Sequence, residues 1–234
     1  MPAPRAHSPH QTSQPPTPLT QPLTPQRSAR RSLFRAGAAV AAAGALVAAG
    51  TTAHAVQPPG VGGAAVAPTF LEADDLPPAS TGWTAGEVGA GTGDPRFCLP
   101  EKLPQDGAHH RDFRTELETS AHQLVLRAED TKAAEELADR LNAAIDKCAS
   151  DFEQENPEAT ADYKDFGAIP VRGGGWVHGV TTDVPNSAKD VHLIGVGLNG
   201  DRVTVVGWGE YGSFDDAPSK AFHSTLEKAM VNLD

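Results

Sequence analysis

The segment DVHLIGVGLNGDRVTVVGWGEY, residues 190–211, constrains the fold more strongly than any other part of the sequence. Two runs rich in strand-forming residues flank Asn199 and Gly200, a pair that tolerates the positive φ angles of a type I′ turn between twisted strands. A two-residue turn at this pair places Leu198 opposite Asp201 on the neighbouring strand. We therefore predict a β-hairpin, and with it an antiparallel sheet in this part of the chain.

The two faces of this hairpin differ in character. By the same count, Val196 lies opposite Val203 on a face that is apolar and belongs to the core. The other face carries Arg202 and Trp208 together with two glycines. Because this second face mixes polar and apolar residues, we expect it to be partly open.

Helical patterns flank the predicted strands. Residues 131–149 repeat apolar side chains at steps of three and four, which is typical of an amphipathic helix, and Asp130 or Thr131 can cap its start. A last helix is predicted over 217–232. The remaining elements are a helix-like turn at 70–76, a mostly irregular stretch at 79–111, and strands at 120–129, 161–169 and 176–182. This order predicts an α+β fold, with an antiparallel sheet packed with helices in a single domain.

The N-terminal 55 residues differ from the rest of the chain, since they contain no Asp or Glu and five Arg. Arg30 and Arg31 precede a short stretch of Ala, Gly, Val and Leu, which ends in the small-x-small pattern of Ala53 and Ala55 that signal peptidase accepts. The paired arginines and the weakly apolar stretch resemble a twin-arginine export signal. We therefore predict a cleavable signal peptide over 1–55 and a secreted protein.

Removal of this segment makes the protein more acidic. The whole chain has a net charge of −11, whereas residues 56–234 hold 14 Lys and Arg against 30 Asp and Glu, a net charge of −16. Such a chain lacks the clustered cations that nucleic-acid binding needs. No later apolar segment approaches 18 residues, so we expect no membrane insertion after processing. Residues 56–68 are rich in Pro, Gly and Ala and are predicted to be a linker to the domain at 69–234.

The chain has only two cysteines, Cys98 and Cys148. In an exported protein two thiols most simply form one disulfide, because no reducing pool keeps them free. The loop so closed contains about 50 residues and corresponds to about 4 kcal/mol of stabilisation in the chain-entropy treatment. Cys148 also lies on the inward stripe of the predicted helix, which disfavours an exposed nucleophile.

Motifs for specific chemistry are weak. Gly195, Gly197 and Gly200 spell G-x-G-x-x-G, but the last glycine opens a strand, whereas a dinucleotide site needs a helix N-terminus there. The histidines of 56–234 lack the paired spacing of a zinc site, and no hydrolase signature occurs. We therefore predict no cofactor, no metal and no catalytic residues. The residues best suited to line a ligand cleft are Trp176, His178, Arg202 and Trp208.

Four segments together resemble a known family. They are FLEADDLPP at the domain start, RAEDTKAAEELADRLNAAIDKCA, the hairpin VHLIGVGLNGDRVTVVGWGE and the final AFHSTLEKAM. Their order and spacing resemble the extracellular sensor domain of actinobacterial PknH-type serine/threonine kinases and its secreted stand-alone members. The resemblance implies an antiparallel sheet with packed helices, a cleft for a small ligand and no catalysis. The chain departs from the family in lacking a kinase and a membrane helix, and Val191 stands near the place of a further cysteine.

Together these features predict a secreted, non-enzymatic, sensor-like domain that binds a small molecule or a cell-wall fragment in a cleft. Two alternatives remain open at this stage: an extracellular hydrolase whose site is not recognised, and a protein–protein interaction module. The oligomeric state is also left open.

Overall fold

A computed structural model describes residues 68–171 and 173–234. The predicted signal peptide, with Arg30, Arg31, Ala53 and Ala55, lies outside the described residues, as do residues 56–67 of the predicted linker. The strands are β1 Thr84–Ala85, β2 Gly89–Ala90, β3 His109–Arg114, β4 Ser120–Arg127, β5 Thr160–Ile169, β6 Gly175–Asp183, β7 Asp190–Asn199 and β8 Arg202–Tyr211. The helices are α1 Thr131–Glu155 and α2 Ser219–Val231, and a single 3₁₀ turn covers Ala73–Asp75.

The eight strands form one antiparallel sheet in the order β1-β3-β4-β8-β7-β6-β5, with β2 also paired to β3. The long strands β7 and β8 lie at its centre, where they are covered on both faces. The α+β prediction is therefore confirmed. Neither helix in the described part of the chain is long and apolar enough to cross a membrane.

The two helices cover opposite faces of the sheet. Leu141 and Ile145 of α1 pack against one face, in a cluster that includes Val196, Val203 and Val205. On the other face, the apolar stripe of α2 packs against the sheet in a second cluster. This cluster includes Val191, Leu193, Val206 and Trp208 from the strands and Phe222, Leu226, Ala229 and Met230 from α2. The expectation that this second face is partly open is wrong, because α2 covers it.

Two glycines of the G-x-G-x-x-G pattern allow α2 to approach the sheet closely. A Cβ added at Gly195 would lie 2.6 Å from Cδ2 of Leu226, and one at Gly197 would collide with the side chain of Met230. The glycines therefore allow side chains of α2 to lie directly against the sheet.

The hairpin register differs from the predicted one by two residues. Asn199 pairs with Arg202 and Leu198 pairs with Val203, so the loop consists of Gly200 and Asp201. Gly200 has φ of +60°, which is the type II′ pattern of a glycine at the first central position. The predicted type I′ turn at Asn199 and Gly200 is therefore wrong. The inward and outward residues were still predicted correctly, because a two-residue shift preserves the side-chain alternation.

Helix α1 is longer than predicted. The side chain of Asp130 accepts a hydrogen bond from the backbone N of Ala133, which confirms the predicted start. The helix continues past residue 149 to Glu155. It ends there because Asn156 precedes Pro157, and a residue before proline disfavours the helical conformation.

Candidate functional site

The four residues predicted to line a cleft are divided between the two faces of the sheet. Trp176 and His178 of β6 lie on the face of the sheet that α1 covers. Trp208 is buried in the cluster beneath α2. Arg202 lies on the same face as Trp208 and donates a hydrogen bond to the carbonyl of Leu233 at 3.1 Å. The structure therefore brings Trp176 and His178 together but places Arg202 and Trp208 elsewhere.

Trp176 forms one wall of a cleft of about 380 Å³ between α1 and the ends of β5, β6 and β7. From the helix, Glu135, Asp139 and Asn142 face this cleft, while Val196 and Leu198 add apolar surface from β7. The cleft thus combines an aromatic ring, two carboxylates and an amide around an apolar base. We call this site the Trp176 cleft.

The orientation of the Trp176 ring is fixed before any ligand binds. Its Nε1 donates to Oδ1 of Asp165 at 2.8 Å, and the backbone N of Gly167 donates to the same oxygen at 2.7 Å. A β-bulge between Asp165 and Gly167 brings these groups together. The Trp176 side chain nevertheless remains partly accessible, because the residue is 39% exposed.

His178 lies beneath α1, where the protein itself occupies both ring nitrogens. Nε2 lies 2.9 Å from the Asn142 amide oxygen, and Nδ1 lies 2.9 Å from the hydroxyl of Tyr163 and 3.2 Å from Asp146. Because an amide oxygen only accepts, the proton of the neutral ring lies on Nε2 and Nδ1 is an acceptor, and the Tyr163 hydroxyl, which donates to Asp146 at 2.6 Å, lies between that carboxylate and Nδ1. His178 therefore supports Asn142, which faces the cleft, and does not reach the ligand space itself.

The pKa values in this network follow from burial. Burial lowers the pKa of His178, although Asp146 and Asp165 act in the opposite direction. Burial also raises the pKa of Tyr163, and its hydrogen bond to Asp146 adds to that effect. Both groups are accordingly neutral near pH 7, and they tie α1 to β5 and β6 through hydrogen bonds.

A second pocket, of about 210 Å³, lies on the same face but beyond α1, above the ends of β4, β7 and β8. His122 and His192 contribute their imidazoles, and Arg96 and Phe97 reach over from the loop that follows β2. Burial lowers the pKa of His122 to about 4, with a further contribution from nearby Arg96. Burial also lowers the pKa of His192. We call this site the His122 pocket.

The disulfide holds the loop of this second pocket in place. Cys98 and Cys148 are bonded, which confirms the predicted bridge. The bridge attaches the loop to α1, and Phe97 packs its ring 4.5 Å from that of His192 and 6.1 Å from that of Phe152. The cysteines therefore fix the position of Arg96 and Phe97 over the sheet.

Sequence reasoning did not identify the His122 pocket. Neither His122 nor His192 was singled out as a candidate residue, and Arg96 lies in the stretch 79–111 that was predicted to be mostly irregular. One indication of this pocket was present in the sequence. Gly207 and Gly209 lie two positions apart on one face of β8, and glycine inside a strand often marks the close approach of another group. His122, on the adjoining strand, lies directly over Gly207.

The described part of the chain contains no group of three or more His, Cys, Asp or Glu side chains that could hold a metal ion. Comparison with known proteins does not add a function: no known family model matches the chain, and no curated protein is significantly similar to it. The resemblance to PknH-type sensor domains therefore stays a prediction.

Proposed function

We propose that this protein is a secreted, sensor-like binding domain that holds a small molecule or cell-wall fragment in the Trp176 cleft. The observation that carries the proposal is a partly exposed Trp176 ring, held in one orientation by Asp165, opposite the carboxylates of Glu135 and Asp139. Binding sites of this size combine apolar surface with a few oriented polar groups. A pre-oriented ring also reduces the conformational entropy that binding costs.

The lining favours a hydroxyl-bearing ring such as an amino sugar. Carboxylates only accept hydrogen bonds, so Glu135 and Asp139 are suited to the hydroxyl and amide donors of a glycan. Trp176 offers an apolar face against which the C–H face of a sugar ring can pack. An anionic ligand is disfavoured here because both charged side chains of the described lining are acidic. Cell-wall glycan fragments meet these requirements.

The hydrolase alternative receives less support from this cleft. Its described lining residues include no Ser, Cys or His side chain, and His178 lies beneath them with both nitrogens occupied by protein groups. A hydrolase here would have to use the carboxylates Glu135 and Asp139. A reducing-end assay on glycan oligomers tests that alternative.

Titration of the purified protein with soluble N-acetylglucosamine oligomers, followed by calorimetry, tests the proposal. We expect saturable binding that the Trp176→Ala substitution weakens by about tenfold or more, since loss of an aromatic contact removes on the order of 1.4 kcal/mol. Tyr211→Ala is the matched control, because Tyr211 is an exposed aromatic residue at the opposite end of the sheet.

Two results would contradict the proposal. One is the absence of binding to both these oligomers and peptide-bearing cell-wall fragments. The other is release of new reducing ends by the wild-type protein but not by Glu135→Gln, which would establish a glycan hydrolase instead.

A further inference from the structure

The His122 pocket contains polar groups that the protein leaves without partners. Nε2 of His122 and Nε of Arg96 are both buried and have no hydrogen-bond partner. Buried polar atoms without partners are uncommon and cost free energy. Arg96 is not free to turn away, because its Nη1 is 2.7 Å from Oδ1 of Asp112. Two unsatisfied nitrogens therefore occur in one small pocket.

Glycines on β8 allow both imidazoles to lie against the strand backbone. A Cβ added at Gly207 would lie 2.6 Å from Nε2 of His122, and one at Gly209 would lie 2.7 Å from Nδ1 of His192. Any larger residue at either position would displace a ring. The sequence of β8 thus preserves a place for two histidines side by side, beneath an arginine.

We propose that the His122 pocket binds a small oxyanion, a carboxylate or phosphate group, between Arg96 and the imidazoles of His122 and His192, and takes up a proton in doing so. Planar guanidinium groups suit such oxygens well. Asp112 already balances the charge of Arg96. The additional positive charge that an anion requires must therefore come from an imidazole.

The charged and titratable groups around His122 determine the direction of the pH dependence. Asp112 on β3 favours protonation of His122, whereas Arg96 and His192 oppose it, and burial is the largest effect. Asp190, at the start of β7, favours protonation of His192. His110 lies near Arg96 across Gly93, and its Nδ1 donates to the Gly91 carbonyl at 3.1 Å. The described lining includes no residue of α1.

Burial lowers the pKa of His122 to about 4, so the ring is neutral near pH 7. A bound anion beside the ring favours the imidazolium and raises that pKa. Thermodynamic linkage then requires the affinity for the anion to increase as the pH falls from the pKa of His122 in the anion-bound protein toward its pKa in the free protein. The increase is about tenfold per pH unit for each proton taken up. The volume of about 210 Å³ admits the anionic group and little else of a larger ligand.

NMR titration of the histidine ring signals tests this proposal on the purified protein. Sulfate is the first probe because its charge is constant between about pH 5 and 7.5, so that any pH dependence comes from the protein. Acetate is the carboxylate probe, and sodium chloride at equal ionic strength is the control for screening. We expect sulfate or acetate, but not chloride, to raise the pKa of His122 by about one unit or more.

Variants separate the pocket from other histidines. His122→Gln should reduce the pH dependence of sulfate binding, because only the imidazole of His192 then remains to take up a proton, and His223→Gln, on α2, should leave it unchanged. If His122→Gln fails to fold, the wild-type titration alone decides the matter. Unchanged His122 signals with both sulfate and acetate at pH 5.5 would overturn the proposal. This outcome is independent of glycan binding in the Trp176 cleft, which lies on the other side of α1.

Discussion

At the scale of single residues, glycine positions on the central strands determine what can lie against the sheet. Gly195 accommodates Leu226 on the α2 face, whereas Gly207 accommodates His122 on the α1 face. In each case the partner side chain occupies the space that a Cβ would need. These glycines therefore act through the missing side chain, not through unusual backbone angles, since neither has a positive φ.

Substitution of Gly195 by alanine should destabilise the protein. The new methyl group would lie 2.6 Å from Cδ2 of the fully buried Leu226 and would force a shift in a packed core. We expect the free energy of unfolding to fall by about 1–3 kcal/mol, as is typical of overpacking. Urea denaturation measures the change. Gly82→Ala is the matched control, because no atom lies within 4 Å of the added group; equal stability of the two variants would contradict this account.

At the scale of elements, α1 connects most of the features that concern function. Its first half faces the Trp176 cleft with Glu135, Asp139 and Asn142. Its second half carries Cys148, the anchor of the loop over the His122 pocket. A single helix therefore holds one wall of the first site and supports the cover of the second.

The disulfide should contribute substantially to the stability of this arrangement. The bonded cysteines are 50 residues apart in sequence, and a loop of that size corresponds to a loss of up to about 4 kcal/mol when the bridge is removed. We expect the Cys98→Ser, Cys148→Ser double variant to unfold at lower urea concentration than the wild type. Thiol titration of the denatured wild-type protein, without reductant, should detect no free thiol. Two titratable thiols would contradict the bridge.

The elements themselves were largely predictable from local patterns. The cap at Asp130 and the apolar spacing identified α1, and alternation identified β7 and β8. The register at Gly200 was not predictable, because an Asn-Gly pair followed by Asp201 is compatible with two turn positions. The covering of the second hairpin face by α2 was also missed. Gly195 and Gly197 on that face leave room for a closely packed helix. The sequence alone does not show that α2 is the element that fills this room.

At the scale of the whole molecule, three histidines with lowered pKa values make stability depend on pH. His122, His178 and His192 all resist protonation in the folded state, chiefly because they are buried. In the unfolded chain these histidine rings have their ordinary pKa of about 6.5 and bind protons below that pH, so acid favours unfolding. Stability is therefore highest above about pH 6.5 and falls as the pH decreases toward 4.

We expect the free energy of unfolding to be lower at pH 5 than at pH 7.5, with about 2 kcal/mol of the difference due to His122. Urea denaturation at the two pH values, in chloride salts, measures this difference. His122→Gln should reduce the difference and His223→Gln should not. A stability that is equal or greater at pH 5 would show that the buried imidazoles do not titrate in this way.

The candidate sites were harder to predict than the fold, for a spatial reason. Trp176 and His178 lie on one face of the sheet because they are two residues apart on β6. Their partners Glu135, Asp139 and Asn142 come from α1, and no local pattern relates that helix to β6. The His122 pocket likewise joins three distant segments. Arg202 and Trp208 were grouped with Trp176 by residue type, although the alternation of β8 directs them to the opposite face.

The β-bulge that orients Trp176 has another consequence, for the behaviour of the protein in concentrated solution. It interrupts β5, which is the outermost strand of the sheet on that side. A long, regular outer strand offers unpaired backbone groups to neighbouring molecules, and bulges and charged residues prevent such pairing. Asp162 and Lys164 supply the charges here, while the opposite edge consists of two strands of only two residues each. Both borders of the sheet are thus poor templates for intermolecular strand addition, which protects the folded chain against edge-to-edge aggregation.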